Sequence, residues 1–199
     1  MYNIDFANNI YSISYRNYSL KIFDNDSLPD FHKVLFRVNS NTSCHPKHNK
    51  RGYFAITARD LGDYHPDIRL LAINPGLTYA EIGPGLGEFL IHASKKANVV
   101  AIDPADYNLM KDILNFSLTL NLKDVYKNLI NKMLARCNFY LSINLYNVNV
   151  EDVSTRFPEL AHSIDVVVEN FGPGYYFGRE NISYHEKMLL KEGGILLQR

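Results

Sequence analysis

The sequence predicts a mixed α/β protein in which a mostly parallel, doubly wound sheet follows a small lobe that favours β-structure. After residue 69, short apolar runs alternate with amphipathic segments, which is typical of strands joined by crossover helices. The central runs are continuously apolar, as strands buried on both faces require. Before residue 69, short segments alternate apolar and polar residues instead. We therefore predict an N-terminal lobe over 1–68 and a second domain over 69–199.

The composition is that of an ordinary globular protein. The chain has 199 residues, of which 46% are hydrophobic and 21% are charged, so extensive disorder is excluded. Lys plus Arg and Asp plus Glu number 21 each, and this zero net charge does not favour nucleic-acid binding. No apolar run approaches the roughly 18 residues of a membrane span. Because no secretory signal is visible either, we expect a cytoplasmic protein without a membrane partner.

The N-terminal lobe is predicted from short patterns. Tyr18–Phe23 and Lys33–Val38 alternate like strands, and Asn25–Asp30 contains the residues of the turn between them. Asn39–Arg51 lacks apolar periodicity and is predicted to be an exposed loop. A helix is predicted around Ile56–Leu61.

The second domain is predicted to contain five strands and the helices between them. The strands are predicted at Leu77–Ile82, Asn98–Ile102, Phe139–Val150, Ile164–Glu169 and Gly194–Leu197. The helices are predicted at Glu88–Ala97, at one or two segments between 110 and 133, at Val153–His162 and at Glu180–Lys191.

Cysteine and histidine residues do not predict a metal site. Cys44, His45 and His48 cluster in one loop, but a closed metal site needs three or four ligands and no second cluster supplies them. Cys44 and Cys137 cannot form a disulfide framework, so a reducing compartment is expected.

The most informative segment is the glycine-rich turn after the first strand of the second domain. Gly83, Gly85 and Gly87 follow Glu81 in the pattern G-x-G-x-G, where a ligand pressed against the backbone leaves no room for Cβ. In a parallel sheet such a turn lies at the carboxyl edge, where ligands bind. A dinucleotide fingerprint would place its third glycine where Glu88 stands. The carboxylate of Glu81 favours a ligand that carries positive charge, although a tight turn without a ligand is the alternative.

Four segments together resemble the motifs of class I S-adenosylmethionine-dependent methyltransferases, which have a seven-stranded, doubly wound fold. E-I-G-P-G-L-G at 81–87 is similar to the first motif, and V-V-A-I-D at 99–103 is similar to the second strand with its terminal acid. D-V-V-V-E-N at 165–170 resembles the fourth strand, and L-K-E-G-G-I-L at 190–196 resembles the turn into the fifth. The resemblance implies S-adenosylmethionine as the cofactor.

The resemblance also implies which residues hold this cofactor. Glu81 would face its ammonium group, Asp103 would accept its ribose hydroxyls, and Pro104 would lie against its adenine ring. The alternative role of Asp103 is to cap a helix that starts at Ala105, and both roles can coexist. The implied cofactor-binding residues are Glu81, Gly83, Pro84, Gly85, Gly87, Asp103, Pro104 and Asn149, the last chosen over Glu151 and Asp152 for the adenine amino group.

The segment after the fourth strand of the family borders the transferred methyl group. Glu169, Asn170 and Tyr175 are therefore the candidate catalytic residues, with Tyr176 and His185 as further candidates for accepting a proton. Asn170 stands where the N-P-P-Y tetrapeptide of amino-methylating members begins, but N-F-G-P departs from that motif and does not indicate the acceptor. A surface turn packed on the N-terminal lobe is the alternative.

The predicted function is methyl transfer from S-adenosylmethionine to an unidentified small molecule, protein or RNA, with the N-terminal lobe over 1–68 expected to cover the substrate side. The alternative is a catalytically inactive binding or scaffold protein with the same fold, and a nicotinamide-dependent oxidoreductase is disfavoured by Glu88. The last predicted strand is the fifth, whereas the family usually continues into a helix and an antiparallel hairpin. An unpaired sheet edge of this kind favours a homodimer.

Overall fold

The computed structural model describes residues 1–39 and 53–199. Its contacts divide the chain into two compact units: Met1–Arg59 with Asp106–Leu141, and Asp60–Ala105 with Ser142–Arg199. The predicted boundary at residue 69 therefore differs from the observed one. Long-range contacts join residues 106–141 to the N-terminal unit, which a reading along the sequence cannot show. Cys44, His45 and His48 lie outside the described residues.

The first unit contains a five-stranded antiparallel sheet with its strands in sequence order. The strands are β1 Asn3–Ala7, β2 Ile10–Tyr15, β3 Tyr18–Phe23, β4 Val34–Asn39 and β5 Tyr53–Thr57, and a short helix, α1 Asp30–Lys33, precedes β4. The strand predicted at Tyr18–Phe23 is confirmed, and the one predicted at Lys33–Val38 is shifted by one residue. The turn between β1 and β2 places Asn8 and Asn9 at φ 52° and 60°, the left-handed region that Asn tolerates better than most residues.

The helix predicted around Ile56–Leu61 is wrong. Ile56 belongs to β5 and lies opposite Phe36 of β4, and only a single 3₁₀ turn, Leu61–Asp63, follows. The apolar residues of this segment fit both periods over so short a run. Pairing with β4 decides for the strand.

Two long helices complete the first unit. They are α3 Tyr107–Leu118 and α4 Asp124–Ser142, and in chain order they follow α2 Pro66–Arg69, a short helix of the second unit. Met110, Ile113 and Leu114 form the fully buried side of α3, which packs against β2 and β3. The strand predicted at Phe139–Val150 is wrong in its first part, because Tyr140 continues the buried side of α4. In residues 1–39 and 53–199, no helix combines the length and apolarity needed to span a bilayer.

The second unit contains a five-stranded parallel sheet. Its strands are β6 Thr78–Ile82, β7 Asn98–Ile102, β8 Asn144–Tyr146, β9 Ile164–Glu169 and β10 Leu190–Gln198, in the spatial order β10-β9-β6-β7-β8. The strands predicted at Asn98–Ile102 and Ile164–Glu169 are confirmed to the residue. The mixed α/β class with a parallel sheet is therefore confirmed.

Short helices and turns surround this sheet. They are α2 Pro66–Arg69, a helix at Phe89–Ala93, α5 Val150–Arg156, α6 Pro173–Phe177 and α7 Arg179–Leu189, with 3₁₀ turns at Leu61–Asp63 and Pro158–Leu160. Ala80 and Ile82 of β6 belong to a core cluster that includes residues of α5 and α7. Tyr79 points to the opposite face, where its ring meets Phe89 edge-on. The helix at Phe89–Ala93 has five residues, fewer than the predicted Glu88–Ala97.

The strand order creates a switch point at the carboxyl ends of β6 and β9. From β6 the chain proceeds to β7 and β8 on one side, and it then returns to the other side of β6 for β9 and β10. The loops that follow β6 and β9 therefore leave neighbouring strands in opposite directions. Crevices at such points are where parallel α/β sheets bind ligands.

Candidate functional site

The glycine turn after β6 has the backbone that its residues predict. Gly83 and Gly85 adopt φ 62° and 55°, in the left-handed region that side chains disfavour. The Gly83 N–H donates to the carbonyl of Ile102 at 2.8 Å, which ties the turn to the end of β7. The first two glycines are therefore required by the backbone itself.

The loop after β9 packs directly on this turn. A Cβ on Gly83 would lie 3.0 Å from Pro173 Cδ and 3.2 Å from Gly172 Cα. A Cβ on Gly172 would lie 2.6 Å from the carbonyl oxygen of Ile82. Both glycines thus permit a close approach between the two loops at the switch point.

The third glycine makes room for a tyrosine of the same chain. A Cβ on Gly87 would overlap the hydroxyl oxygen of Tyr64, whose side chain is buried, with the residue only 4% exposed. The Tyr64 hydroxyl donates to Glu81 Oε1 at 3.0 Å and accepts from the Phe89 N–H at 3.4 Å. Tyr64 was not predicted from the sequence, because it stands 17 residues before its partner Glu81.

Glu81 is buried beneath the turn, with 2% of its surface exposed. Among the described residues, none gives a hydrogen bond to its second oxygen, Oε2. Burial, together with the smaller effect of the nearby Asp103 charge, raises the pKa of Glu81 to about 8, although hydrogen bonds from Tyr64 and from the Leu90 backbone lower it. Glu81 is therefore a neutral acid at neutral pH as the chain is arranged here, and a cation placed beside it would favour the ionised form.

Asp103 comes directly after β7 and is held by two backbone groups. Its Oδ2 accepts the Gly85 N–H at 3.0 Å and its Oδ1 accepts the Ala105 N–H at 2.8 Å. The first bond joins the glycine turn of β6 to the acid at the end of β7. The alternative role of Asp103, capping the helix that follows, is filled by Asp106: its carboxylate accepts the Leu109 N–H in the first turn of α3.

Pro104 and Asn149 are the other two residues predicted to contact the nucleoside. Pro104 is exposed, and Asn149 stands directly before α5 without a side-chain capping bond. Strand β8 ends at Tyr146, so the residue that follows it is Asn147. The Asn147 amide donates to the carbonyls of Asp103 at 3.1 Å and Ala105 at 2.6 Å. Asn147 was missed because the end of β8 was predicted four residues too late.

Glu169, the last residue of β9, lies below the loop that follows it. It is 1% exposed, and its Oε1 accepts the Gly174 N–H at 2.6 Å. Its neighbour is Glu186 of α7, which is fully buried and receives a hydrogen bond of 2.9 Å from the amide of Gln198. Burial and the charge of Glu169 raise the pKa of Glu186 to about 8, and two carboxyls in such contact share a proton.

Glu186 was not predicted as part of the site. Its only signal in the sequence is its position between Ile182 and Leu189, which places it on the buried side of α7. The remaining catalytic candidates differ in exposure. Asn170 is buried and accepts the His65 N–H at 3.4 Å, whereas Tyr175 is 51% exposed with its ring edge-on to Phe171.

Comparisons with protein-family models and with curated proteins gave no match. Sequence similarity therefore assigns no family to the chain. Among residues 1–39 and 53–199, no group of three or more His, Cys, Asp or Glu side chains is arranged to hold a metal ion.

Proposed function

We propose that the second unit binds S-adenosylmethionine at the switch point between β6 and β9 and transfers its methyl group to an acceptor. The observation that carries the proposal is the 3.0 Å bond from the Gly85 N–H to Asp103 Oδ2. It brings together a turn that allows close backbone approach and a carboxylate at the end of the next strand. A nucleoside needs both, because its ribose offers two hydroxyl donors and its substituents must pass close to the backbone.

The donor and acceptor set fits this cofactor. Asp103 suits the ribose hydroxyls, and the unpartnered Glu81 Oε2 suits an ammonium group. The order of the parallel strands is compatible with five strands of a doubly wound class I methyltransferase sheet. The same set disfavours a dinucleotide, because Glu88 occupies the position of the third glycine and its carboxylate accepts the Leu61 N–H at 2.7 Å.

When bound, the cofactor supplies an electrophilic methyl carbon. The chain contributes by orienting the cofactor and the acceptor and by excluding water, since an in-line displacement needs aligned atoms more than it needs an acid or a base. Asp103 is oriented by Gly85 and Ala105, and the loop at Gly172 closes over the end of β6. Tyr175 is the exposed candidate for contact with the acceptor, while the buried Glu169 holds the loop through Gly174.

A second candidate function is favoured by the packing of the glycine turn. Tyr64 and Pro173 take up the space that Gly87 and Gly83 leave. A scaffold or binding protein that retains the fold without methyl transfer would need only this packing of the glycine turn. A homodimer formed through an open sheet edge is a further proposal, and β8 and β10 are the edge strands of the parallel sheet.

Replacement of Asp103 by alanine is expected to weaken binding of S-adenosylhomocysteine at least about tenfold, because a hydrogen bond to a charged group is worth about 1.5–3 kcal/mol. Isothermal titration calorimetry of the full chain with S-adenosylmethionine, S-adenosylhomocysteine and NAD measures this. Asp165→Ala is the matched control, since Asp165 stands at the start of β9, at the opposite edge of the sheet, and contacts Lys191 and the Thr78 N–H.

Equal affinity of Asp103→Ala and the wild type would refute the ribose assignment, and binding of NAD alone would refute the cofactor. Transfer of a radiolabelled methyl group into an extract separated into small-molecule, protein and RNA fractions distinguishes an enzyme from a scaffold. A chain that binds S-adenosylhomocysteine but labels no fraction supports the scaffold.

A further inference from the structure

One segment of the second unit lies across the carboxyl edge of its parallel sheet. This segment, residues 60–70, contains a 3₁₀ turn, Tyr64 and α2, and we call it the strap. Its side chains and backbone form hydrogen bonds and an ion pair with residues near the carboxyl ends of β6, β9 and β10 and with Glu88, which follows the glycine turn. The contacts are Leu61 N–H to Glu88, Tyr64 to Glu81, His65 N–H to Asn170, and Arg199 to both His65 and Asp67.

Tyr64 is the part of the strap that reaches the glycine turn. Its hydroxyl oxygen lies where a side chain on Gly87 would stand, and it donates to one oxygen of the buried Glu81. This is the same acid and the same glycine that the proposed cofactor would need for its amino-acid end. The chain's own tyrosine and the cofactor therefore compete for one place.

We propose that the strap is an autoinhibitory latch, in which Tyr64 fills the amino-acid end of the cofactor site until the strap lifts. This inference rests on the proposed function. It explains why three alternating glycines adjoin a buried acid while Tyr64 fills the space beside Gly87. Glu81 has a different partner in each state: Tyr64 donates to its Oε1 in the closed state, and an ammonium group pairs with its carboxylate in the open one.

The ion pair that holds the exposed end of the strap is weak enough to allow the strap to open. Arg199 forms an ion pair with Asp67 and donates to His65 Nδ1 at 3.2 Å. The Asp67 and Arg199 side chains are 47% and 36% exposed. Ion pairs with this exposure contribute little net stability, because water and salt screen them. The buried bond between Tyr64 and Glu81 is therefore the main lock, and the ion pair is a weaker outer one.

Loosening the strap is expected to tighten cofactor binding. The apparent dissociation constant equals the intrinsic one divided by the fraction of open molecules, so any variant that destabilises the closed state lowers it. Tyr64→Phe retains the ring but removes the hydrogen bond from the Tyr64 hydroxyl to Glu81, and we expect at least about threefold tighter binding of S-adenosylhomocysteine. Asp67→Asn removes the outer ion pair and should act in the same direction, but less.

The test is calorimetric titration of the full chain with S-adenosylhomocysteine. Tyr79→Phe is the matched control: it also removes a buried tyrosine hydroxyl, one that contacts Asn74 and Ala72 before β6. The latch predicts tighter binding by Tyr64→Phe and Asp67→Asn, and unchanged binding by Tyr79→Phe. A wild type that fails to bind while Tyr64→Phe binds also supports it.

Two outcomes overturn the latch in different ways. If the wild type binds S-adenosylhomocysteine, and Tyr64→Phe and Asp67→Asn bind it with equal or weaker affinity, the latch is rejected and the proposed function is left intact. If no form binds, the cofactor is rejected and the latch with it. Hydrogen exchange gives an independent readout: saturating S-adenosylhomocysteine should speed exchange of the Leu61 and His65 amides, and unchanged or slower exchange contradicts the latch.

Discussion

The free energy of unfolding is expected to fall by about 4 kcal/mol for each of two buried carboxyls as the pH rises from about 5 to 9, because these carboxyls must give up protons that the native state retains. Burial raises the pKa of Glu81 and of Glu186 from 4.5 to about 8. Between these values the native chain binds more protons than the unfolded chain. Stability is therefore fully present below about pH 4.5 and is lost as the pH passes through about 8.

Chemical denaturation monitored by circular dichroism at several pH values measures this slope. Glu186→Gln should reduce it and stabilise the protein at pH 8, since the glutamine amide can donate permanently to Glu169 where a shared proton now does. Glu192→Gln, which changes an exposed residue of β10, is the control and should leave the slope unchanged. A protein whose stability is constant or increases over this range contradicts the buried acids.

Replacement of Gly172 by alanine is expected to lower the free energy of unfolding by about 2–3 kcal/mol, as overpacking of a filled site does. The new Cβ would lie 2.6 Å from the Ile82 carbonyl oxygen and 2.9 Å from Glu169 Cγ. The first of these atoms is backbone of a central strand and cannot move aside without disturbing the sheet. Gly172 has φ −81°, so the cost is steric and not conformational.

Gly62→Ala provides the comparison for this prediction. A Cβ at Gly62 would meet no heavy atom within 4 Å, so its alanine variant should be neutral or more stable by about 0.5 kcal/mol. Thermal and urea unfolding of the two variants measure the difference. Equal stability of Gly172→Ala and Gly62→Ala would show that the loop after β9 does not pack on the end of β6.

The parts of the fold that the sequence predicted are those decided locally. Asn98–Ile102 and Ile164–Glu169 are short, apolar and bounded by polar residues, and burial on both faces admits little besides a strand. The segments after Tyr53 and around Tyr140 were predicted wrongly because their apolar residues fit either period. Pairing with β4 decided the first, and the buried side of α4 decided the second.

The candidate site was predictable in its positions but not in its contacts. The glycine turn and Asp103 lie at the ends of adjacent strands, as their patterns indicated, and Gly85 connects them. Tyr64 and Glu186 come from distant parts of the chain, so no local pattern reveals that they are buried beside Glu81 and Glu169. Glycine spacing alone cannot distinguish space kept for a ligand from space filled by the chain itself.

The most direct test of the central claim is the response of the glycine amides to S-adenosylhomocysteine in a two-dimensional nitrogen–proton NMR spectrum of the full chain. We predict saturable shifts of the Gly83, Gly85 and Gly87 resonances. Gly76 and Gly193, where an added Cβ would meet open space, should not shift. Shifts confined to Gly76 and Gly193, or no shift at any glycine at millimolar ligand, would contradict a cofactor site at the turn between Glu81 and Glu88.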